Sequence, residues 1–502
     1  ALLGAALAVA SISVAALLAG LVLPGGLLPA LRPGAGELEL PLRPGLPAAY
    51  EPFLGGGAGA EAPAWPFVTR VDAKVLITGT GEAIRDGTVL FDAAANSVLY
   101  AGSTGAAPAT PANATVAVEA VMPGLWDCHT HFMGEIGQHS QFKDQGFLAA
   151  EFPVNYLLFH SALEELEAAL MMGITSVREL GGPFGQAIHT LERAGRILAP
   201  NFHYAGRAIG MTSGHTDDQL LPLDEYRKMD RQHVSGGALC DGVPECLKRE
   251  RENLRMQADV IKIMTTGGVL SEFDQPTDAQ LSPEEIRAVV DDARRARRAV
   301  AAHAHGTDGI QNAIDGGVTS IEHGSYMTRD QARQIKERDY MVFVPTLTVD
   351  QVFFNGTSRP ANLDDNQWRK GRAMLRQHVA SVRMAIEEGV PIVTGTDCPK
   401  GCALVGKEVN FLHMLGMKPA DAIKAATGEA PRCMGQFGLA PKSGRLAAGY
   451  EADVIALDAN PLEELEALTQ SERITHVWKG GRPVKAPGRA ATRSPVREAA
   501  AL

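Results

Sequence analysis

The sequence predicts an α/β fold, a (β/α)₈ TIM barrel with a small flanking β-sandwich. Eight short, largely apolar segments recur through the middle of the 502-residue chain, and helical patterns lie between most of them. Side chains that can bind a metal occur at the carboxyl ends of several of these segments. Barrel enzymes carry their active sites at that end of the strands, so the two observations predict one structure.

The eight apolar segments are the candidate parallel strands of the barrel. Most are largely apolar runs, as expected of parallel strands buried on both faces. Ser282 can cap one of the intervening helices, residues 283–298, because Pro283 suits a first turn and Glu285 completes a capping box. The candidate strands are residues 116–126, 174–179, 202–208, 260–264, 299–303, 318–322, 341–346 and 390–394.

Shorter β-rich runs stand before and after this repeat. Because they flank the barrel on both sides, we expect them to join one small β domain built from both ends of the chain. The runs are residues 73–77, 87–91, 97–101, 452–457 and 474–478. The predicted β domain comprises residues 67–118 and 435–485, and the predicted barrel domain comprises residues 119–434.

The amino-terminal segment, residues 1–30, is hydrophobic, and its first 23 residues contain no charge. About 20 apolar residues can span a bilayer, so a signal peptide and a membrane anchor are both open. Either one predicts a secretory, extracellular or membrane-anchored location. We expect residues 31–66, rich in Gly and Pro, to be a linker, and residues 486–502 to be a disordered tail.

The composition argues against a nucleic-acid partner and permits one disulfide. The net charge is -11 and no basic stripe is present, so a nucleic-acid partner is not expected. Six cysteines in a chain of this length do not make a disulfide framework. Cys240 and Cys246 flank a short loop and can pair in an oxidising compartment, whereas Cys128 and Cys398 are expected to pack as small apolar groups.

Candidate metal ligands follow the strands. His129 and His131 lie two residues apart, and on a strand such residues point to the same face. Lys262 lies inside an apolar strand, where an ammonium group is costly unless it is paired or neutralised. The remaining candidates, each at or near a strand end, are His303, His305, His323 and Asp397. Their convergence at one rim predicts a metal site.

The order of these groups resembles the amidohydrolase superfamily, in which a His-x-His pair is followed by a strand lysine, two histidines and an aspartate. The resemblance covers roughly residues 73–484 and includes the closing motif of residues 444–453. Residues 259–269 and 303–306 resemble more specifically the group of prolidase-like dipeptidases and ochratoxinase.

The resemblance implies a binuclear centre with two zinc ions per chain and a bridging hydroxide that attacks the scissile carbonyl. His129, His131 and Asp397 would hold one ion, and His303 and His323 the other. Lys262, carboxylated by CO₂, would bridge both. Asp397 would serve as general base and then as general acid. Homo-oligomers are also implied.

The implied reaction is cleavage of an amide bond in a dipeptide, such as Xaa-Pro, or in an N-acyl amino acid, such as ochratoxin. His305 could bind substrate or stabilise an oxyanion, or it could pack behind the ligands. His215 and Tyr204 could face substrate. Arg178 could meet a substrate carboxylate, although a structural ion pair is the favoured alternative for it.

Two other functions remain open at this point. A cyclic amidase or deaminase of the imidazolonepropionase type is one, but such enzymes generally use one metal and lack the strand lysine. A non-catalytic, membrane-tethered scaffold is the other, and the complete set of ligands argues against it.

Overall fold

The computed structural model describes residues 67–133, 154–231, 235–360, 363–397, 404–436 and 440–487. The predicted signal or anchor segment, the linker, Cys398 and nearly all of the predicted tail lie outside these residues. Within the described ranges, no helix combines the length and the apolar character that a membrane crossing requires.

Sixteen strands occur in the described residues, and they form three sheets. They are β1 (Val68–Ile77), β2 (Ala83–Asp92), β3 (Ser97–Ser103), β4 (Ala114–Pro123), β5 (Leu125–Thr130), β6 (Ile174–Glu179), β7 (Asn201–Tyr204), β8 (Ala208–Gly210), β9 (Gly237–Leu239), β10 (Val260–Met264), β11 (Ala299–Ala304), β12 (Ser320–His323), β13 (Val342–Val344), β14 (Val454–Leu457), β15 (Ile474–Lys479) and β16 (Arg482–Lys485).

Eleven α-helices in the same residues fall mostly between the parallel strands. They are α1 (Val154–Met171), α2 (Gly185–Arg193), α3 (Leu223–Arg231), α4 (Val243–Arg255), α5 (Pro283–Arg295), α6 (Thr307–Gly316), α7 (Arg329–Lys336), α8 (Leu347–Phe354), α9 (Asp365–Glu388), α10 (Val405–Met414) and α11 (Pro419–Ala425). The predicted capping box of Ser282 and Glu285 is present at the start of α5. Cys240 and Cys246 form a disulfide.

One seven-stranded sheet combines both ends of the described chain, in the order β16-β15-β14-β4-β1-β2-β3. β1 pairs with β2 antiparallel and with β4 parallel, and β14 pairs with β4 antiparallel. The prediction that β-rich regions far apart in sequence share a sheet is therefore confirmed. The division of the chain into separate domains remains a prediction.

Two parallel sheets carry the predicted barrel strands, in the orders β5-β6-β7 and β13-β12-β11-β10-β8-β9. Backbone hydrogen bonds also connect them. Asp259 N donates to Tyr204 O, which joins the start of β10 to β7 (2.8 Å). Val393 N donates to Phe343 O (3.0 Å) and Cys128 N to Thr394 O (2.9 Å), so residues 390–394 link β13 with β5.

Three predicted strands differ in detail from the structure. Residues 116–126 are two strands of different sheets, β4 and β5, separated at Gly124, where a Cβ would lie 2.1 Å from Thr175 Oγ1. Residues 202–208 are likewise divided between β7 and β8. Residues 390–394 make only an isolated bridge, between Ile392 and Phe343.

Alternate residues of a barrel strand point to opposite faces, and the two faces pack into two different apolar clusters. Ile261 and Ile263 of β10 belong to the larger apolar cluster, which packs the strands against the helices. Val260 belongs to a second cluster together with Trp126 and Val344. Since residues i and i+2 share a face, the side chain of Lys262 projects on the side of this second cluster.

Candidate active site

The six predicted metal ligands converge where the parallel strands end. His129 Nε2 lies 3.4 Å and His131 Nε2 3.2 Å from Asp397 Oδ1. His129 and His323 have ring centroids 5.0 Å apart, and those of His303 and His323 are 4.6 Å apart. Two sets of three side chains have ligand atoms close enough to share a metal ion: His129, His323 and Asp397, and His303, His305 and His323.

Each imidazole of the cluster uses one ring nitrogen to contact the protein. His129 Nδ1 lies 2.8 Å from Glu322 Oε2, and His131 Nδ1 lies 2.7 Å from the carbonyl oxygen of Gly181. The same holds for His303 Nε2 with Gly267 O (3.1 Å), His323 Nδ1 with Thr346 Oγ1 (2.7 Å) and His305 Nδ1 with Ser325 Oγ (2.7 Å). The second nitrogen of each ring is left for a ligand, which is the usual arrangement around protein metal ions.

Burial keeps three of these rings neutral. It lowers the pKa of His303, His305 and His323 well below the ordinary value, and the neighbouring imidazoles add to the effect. A neutral imidazole has the lone pair that a metal requires. The donor set therefore suits a metal ion.

Lys262 is the side chain that most needs a partner. It is 1% exposed, and the charges that favour its ammonium form are those of Glu322 and Asp397. Burial lowers its pKa to about 8, so an appreciable fraction of the amine is uncharged near neutral pH. An uncharged amine can react with CO₂, and the resulting carbamate would offer oxygen ligands in place of a buried cation.

Asp397 is held as an anion. Burial alone would raise its pKa, but His129, His131 and Lys262 outweigh that effect and hold the pKa below the ordinary value. Its backbone has φ 49°, and that of His323 has φ 69°, both in the left-handed region. Strained backbone of this kind persists where the surroundings enforce it and is common at functional sites.

The role of Glu322 was not predicted from the sequence. Its carboxylate accepts a hydrogen bond from His129 Nδ1 on one oxygen and from Arg178 Nη2 on the other (2.8 Å each). Although burial raises its pKa, Arg178 and then His129 lower it to about 2. The available signal was that Glu322 precedes a candidate ligand on its strand.

The four predicted substrate contacts separate into two pairs. His215 and His305 line the cavity described below, and the His215 ring stacks on His303 with centroids 4.2 Å apart. Arg178 and Tyr204 are both buried and are not among the residues that line it, and their contacts with substrate stay a prediction. Arg178 forms a structural ion pair with Glu322, in which both side chains are fully buried. Tyr204 points into the larger apolar core and donates to the carbonyl oxygen of Met256.

A cavity of about 300 Å³ opens over the cluster. The ligand candidates form its floor, and apolar side chains form much of its wall. Five of the wall residues are Leu180, Leu220, Met229, Val269 and Phe354. A pocket of this kind fits a small organic molecule with a bulky apolar part.

Comparison with known proteins decides the family. The model of the amidohydrolase family matches residues 120–484. The chain belongs to the amidohydrolase family. It is 37% identical to ochratoxinase from Aspergillus niger over 433 residues, 84% of this chain and 87% of that protein. The crystal structure of A. niger ochratoxinase superposes with a TM-score of 0.77, covering 86% of this chain and 99% of the other.

Two further proteins are similar to this amidohydrolase over most of its length. A Xaa-Pro dipeptidase crystal structure with bound methionine matches at 27% identity and a TM-score of 0.72, over 84% of this chain and all of that one. An imidazolonepropionase from Rhodococcus jostii is 24% identical over 423 residues, 79% of this chain and 88% of that protein. The protein is a hydrolase of carbon–nitrogen bonds in the group of ochratoxinase and prolidase-like dipeptidases.

Proposed function

We propose that this amidohydrolase cleaves the amide bond of a dipeptide, such as Xaa-Pro, or of an N-acyl amino acid, such as ochratoxin. The single observation that carries the proposal is the convergence of five imidazoles, one carboxylate and a buried lysine at one cavity floor. The names of the ochratoxinase and Xaa-Pro dipeptidase relatives support this substrate class.

The proposed scaffold is a closed (β/α)₈ barrel beside a small β-sandwich. The hydrogen bonds that join β7 to β10, and residues 390–394 to both β13 and β5, support a closed ring. The proposed ring is β5, β6, β7, β10, β11, β12, β13 and residues 390–394. It brings every proposed ligand to one rim.

Two zinc ions are the proposed cofactor. His129, His131 and Asp397 would hold one, and His303 and His323 the other, with carboxylated Lys262 between them. His305 also has a ring nitrogen within reach of the second set. When bound, such ions supply Lewis acidity and make water more acidic.

The side chains of the chain itself hold and move the proton. Asp397 is anionic, so it can accept the proton of the attacking water and return it to the leaving amine. His305 lies on the cavity floor, where its free Nε2 can contact substrate oxygen. The apolar wall displaces water around the scissile bond, which strengthens these polar contacts.

The imidazolonepropionase-type reaction is less well supported. The sequence identity to the imidazolonepropionase is 24%, compared with 37% to ochratoxinase. A site with a single metal ion would also have no need of a bridging Lys262. A non-catalytic scaffold would leave the buried lysine and five convergent imidazoles without a function. We therefore keep one candidate function.

The test combines metal analysis with a substrate screen. Protein loaded with zinc would be assayed against Xaa-Pro dipeptides, dipeptides with basic residues and aromatic N-acyl amino acids, including ochratoxin A. We expect amide hydrolysis and about two zinc ions per chain. Isotope-labelled bicarbonate should give a carbamate signal that is lost in Lys262→Met.

Lys262→Met should also reduce bound zinc and lower kcat/KM by about 100-fold or more. Lys228→Met, at a lysine that is 58% exposed on α3, is the matched control and should change neither. Full zinc content and full activity in Lys262→Met would exclude a bridging lysine. Hydrolysis of none of the amides by the zinc-loaded protein would exclude the substrate class.

A further inference from the structure

The 268–274 loop, which follows β10, forms one wall of the cavity without being helix or strand. Val269, Leu270, Ser271 and Glu272 from this loop all line the cavity. A loop without regular structure has backbone carbonyls that need other partners. In this protein, the partners come from a single helix.

Three side chains near the start of α9 donate to five carbonyl oxygens of the 268–274 loop. Lys370 Nζ donates to Gly268 O (2.9 Å), Ser271 O (2.7 Å) and Asp274 O (3.1 Å). The other two bonds are Gln367 Nε2 to Leu270 O (2.7 Å) and Asn366 Nδ2 to Glu272 O (2.6 Å). Because these donors lie at i, i+1 and i+4, they project from one side of the helix.

Lys370 is the central member of this set. Its side chain is 1% exposed, and its amine lies 3.9 Å from Asp274 Oδ1. The three carbonyl oxygens use all three of its donor hydrogens. A buried ammonium with every donor satisfied fixes the loop more strongly than neutral contacts would.

The loop in turn fixes His215. The Asp274 carboxylate accepts from Ser271 Oγ, and Ser271 Oγ lies 3.0 Å from His215 Nδ1. A serine hydroxyl has one hydrogen, so if Asp274 receives it, Ser271 accepts from His215. His215 then carries its proton on Nδ1 and presents the Nε2 lone pair to the cavity.

Close packing holds the same ring in place. A Cβ added at Gly268 would lie 2.0 Å from His215 Cε1, so the loop backbone touches the imidazole directly. The ring also stacks on His303. A displacement of the loop would therefore release the ring.

We propose that Lys370 is a positioning residue, which holds the 268–274 loop so that His215 keeps its orientation and tautomer toward the substrate. Lys370 touches neither substrate nor metal in this assignment. The proposal rests on the proposed amide hydrolysis for its kinetic part only.

A double-mutant cycle with His215 tests the proposal. We expect Lys370→Met to lower kcat/KM about tenfold while zinc content stays at the wild-type level. In a His215→Ala background the same substitution should have little further effect, because the ring it positions is gone. Arg376→Met, at an exposed residue of the same helix, is the control and should change nothing.

Hydrogen exchange of the loop provides a readout independent of activity. The amide of Gly268 donates to Asp274 (3.2 Å), so its exchange should quicken at least about tenfold in Lys370→Met. Asn366→Ala, which removes one of the five bonds to the loop, should also quicken this exchange, but by less. It replaces Lys370→Met in the test if that variant does not fold.

Equal losses of kcat/KM in the wild-type and His215→Ala backgrounds would overturn the proposal, as would unchanged exchange. If the wild-type protein hydrolyses no amide while Lys370→Met still speeds the exchange, the proposed function fails but the loop attachment stands.

Discussion

Glu322 joins a candidate metal ligand to a buried cation. It accepts from His129 and from Arg178, and its lowered pKa keeps it anionic near neutral pH. Carboxylates behind a ligating histidine fix the tautomer and raise the basicity of the ring. Arg178, which is fully buried, depends on the same carboxylate for its counter-charge.

Glu322→Gln should therefore weaken both metal binding and folding. An amide in this place directs a donor at another donor, so we expect a 10- to 100-fold loss of metal affinity. The free energy of unfolding of the metal-free protein should fall by about 3 kcal/mol, because Arg178 loses its partner. Chelator competition and urea unfolding would measure the two effects.

Glu119→Gln is the matched control for that experiment. Glu119 also pairs with a basic side chain, that of Lys74, at 2.6 Å, but this lysine side chain is 72% exposed. Exposed ion pairs contribute less than about 1 kcal/mol, so both measurements should stay near wild type. Equal effects of the two substitutions would contradict a special role for Glu322.

Glu250 is a buried acid that the proposed mechanism does not use. It is 0% exposed, and neither carboxylate oxygen has a hydrogen-bond partner among the described residues. Burial, together with the nearby Asp292, raises its pKa to about 8. The folded protein therefore keeps this group protonated at pH 7, whereas the unfolded chain ionises it.

Glu250→Gln should stabilise the protein in a pH-dependent way. The unfolded state releases the proton above about pH 4.5 and the folded state only near pH 8, so wild-type stability falls as the pH rises through this window. We expect the variant to gain about 1–3 kcal/mol at pH 7.5 and almost nothing at pH 4.5. Urea unfolding across this range would measure the gain, and a constant gain would refute the explanation.

Single elements were predicted well where local chemistry decides them. The capping box at α5 and the β-rich runs near both ends were visible because caps and alternation act over a few residues. The interruption at Gly124 was not predicted, since residues 116–126 were interpreted as one mostly apolar strand. Sheet membership there depends on partners far away in sequence, namely Thr175 and β14.

The same distinction applies to the candidate site. The two His-x-His pairs were visible because i and i+2 share a strand face. The direction in which Arg178 points was not, because it depends on Glu322, which lies 144 residues further along the chain. Lys370 was invisible for the same reason, since the loop carbonyls it binds begin 102 residues before it.

Ser282→Ala tests the capping of α5. Ser282 Oγ accepts from Glu285 N, and Glu285 Oε2 accepts from Ser282 N. Loss of such a cap costs about 1 kcal/mol, so we expect that decrease in the free energy of unfolding. Ser358→Ala, at an exposed loop serine, should have no effect. Identical unfolding of both variants would mean that this cap does not contribute.

The charges around the cavity come from side chains on several separate loops and helices, so they depend on the fold of the whole molecule. Besides the proposed ligand Asp397, four carboxylates line the cavity: Asp217, Asp218, Glu272 and Asp350. Lys262 is the only lysine or arginine among the described lining residues, and it lies on the floor. An additional anion on a substrate would therefore enter a negative field.

Dipeptides that differ only in carrying glutamate or glutamine should reveal this field. A like charge about 10 Å away costs about 1.7 kcal/mol at an effective dielectric constant of about 20, so we expect kcat/KM to be roughly tenfold lower for the glutamate peptide. Raising the ionic strength should narrow the difference, because salt screens exposed charges. Asp218→Asn should also narrow it. Equal rates for both peptides at low salt would show that the lining carboxylates do not act on the substrate.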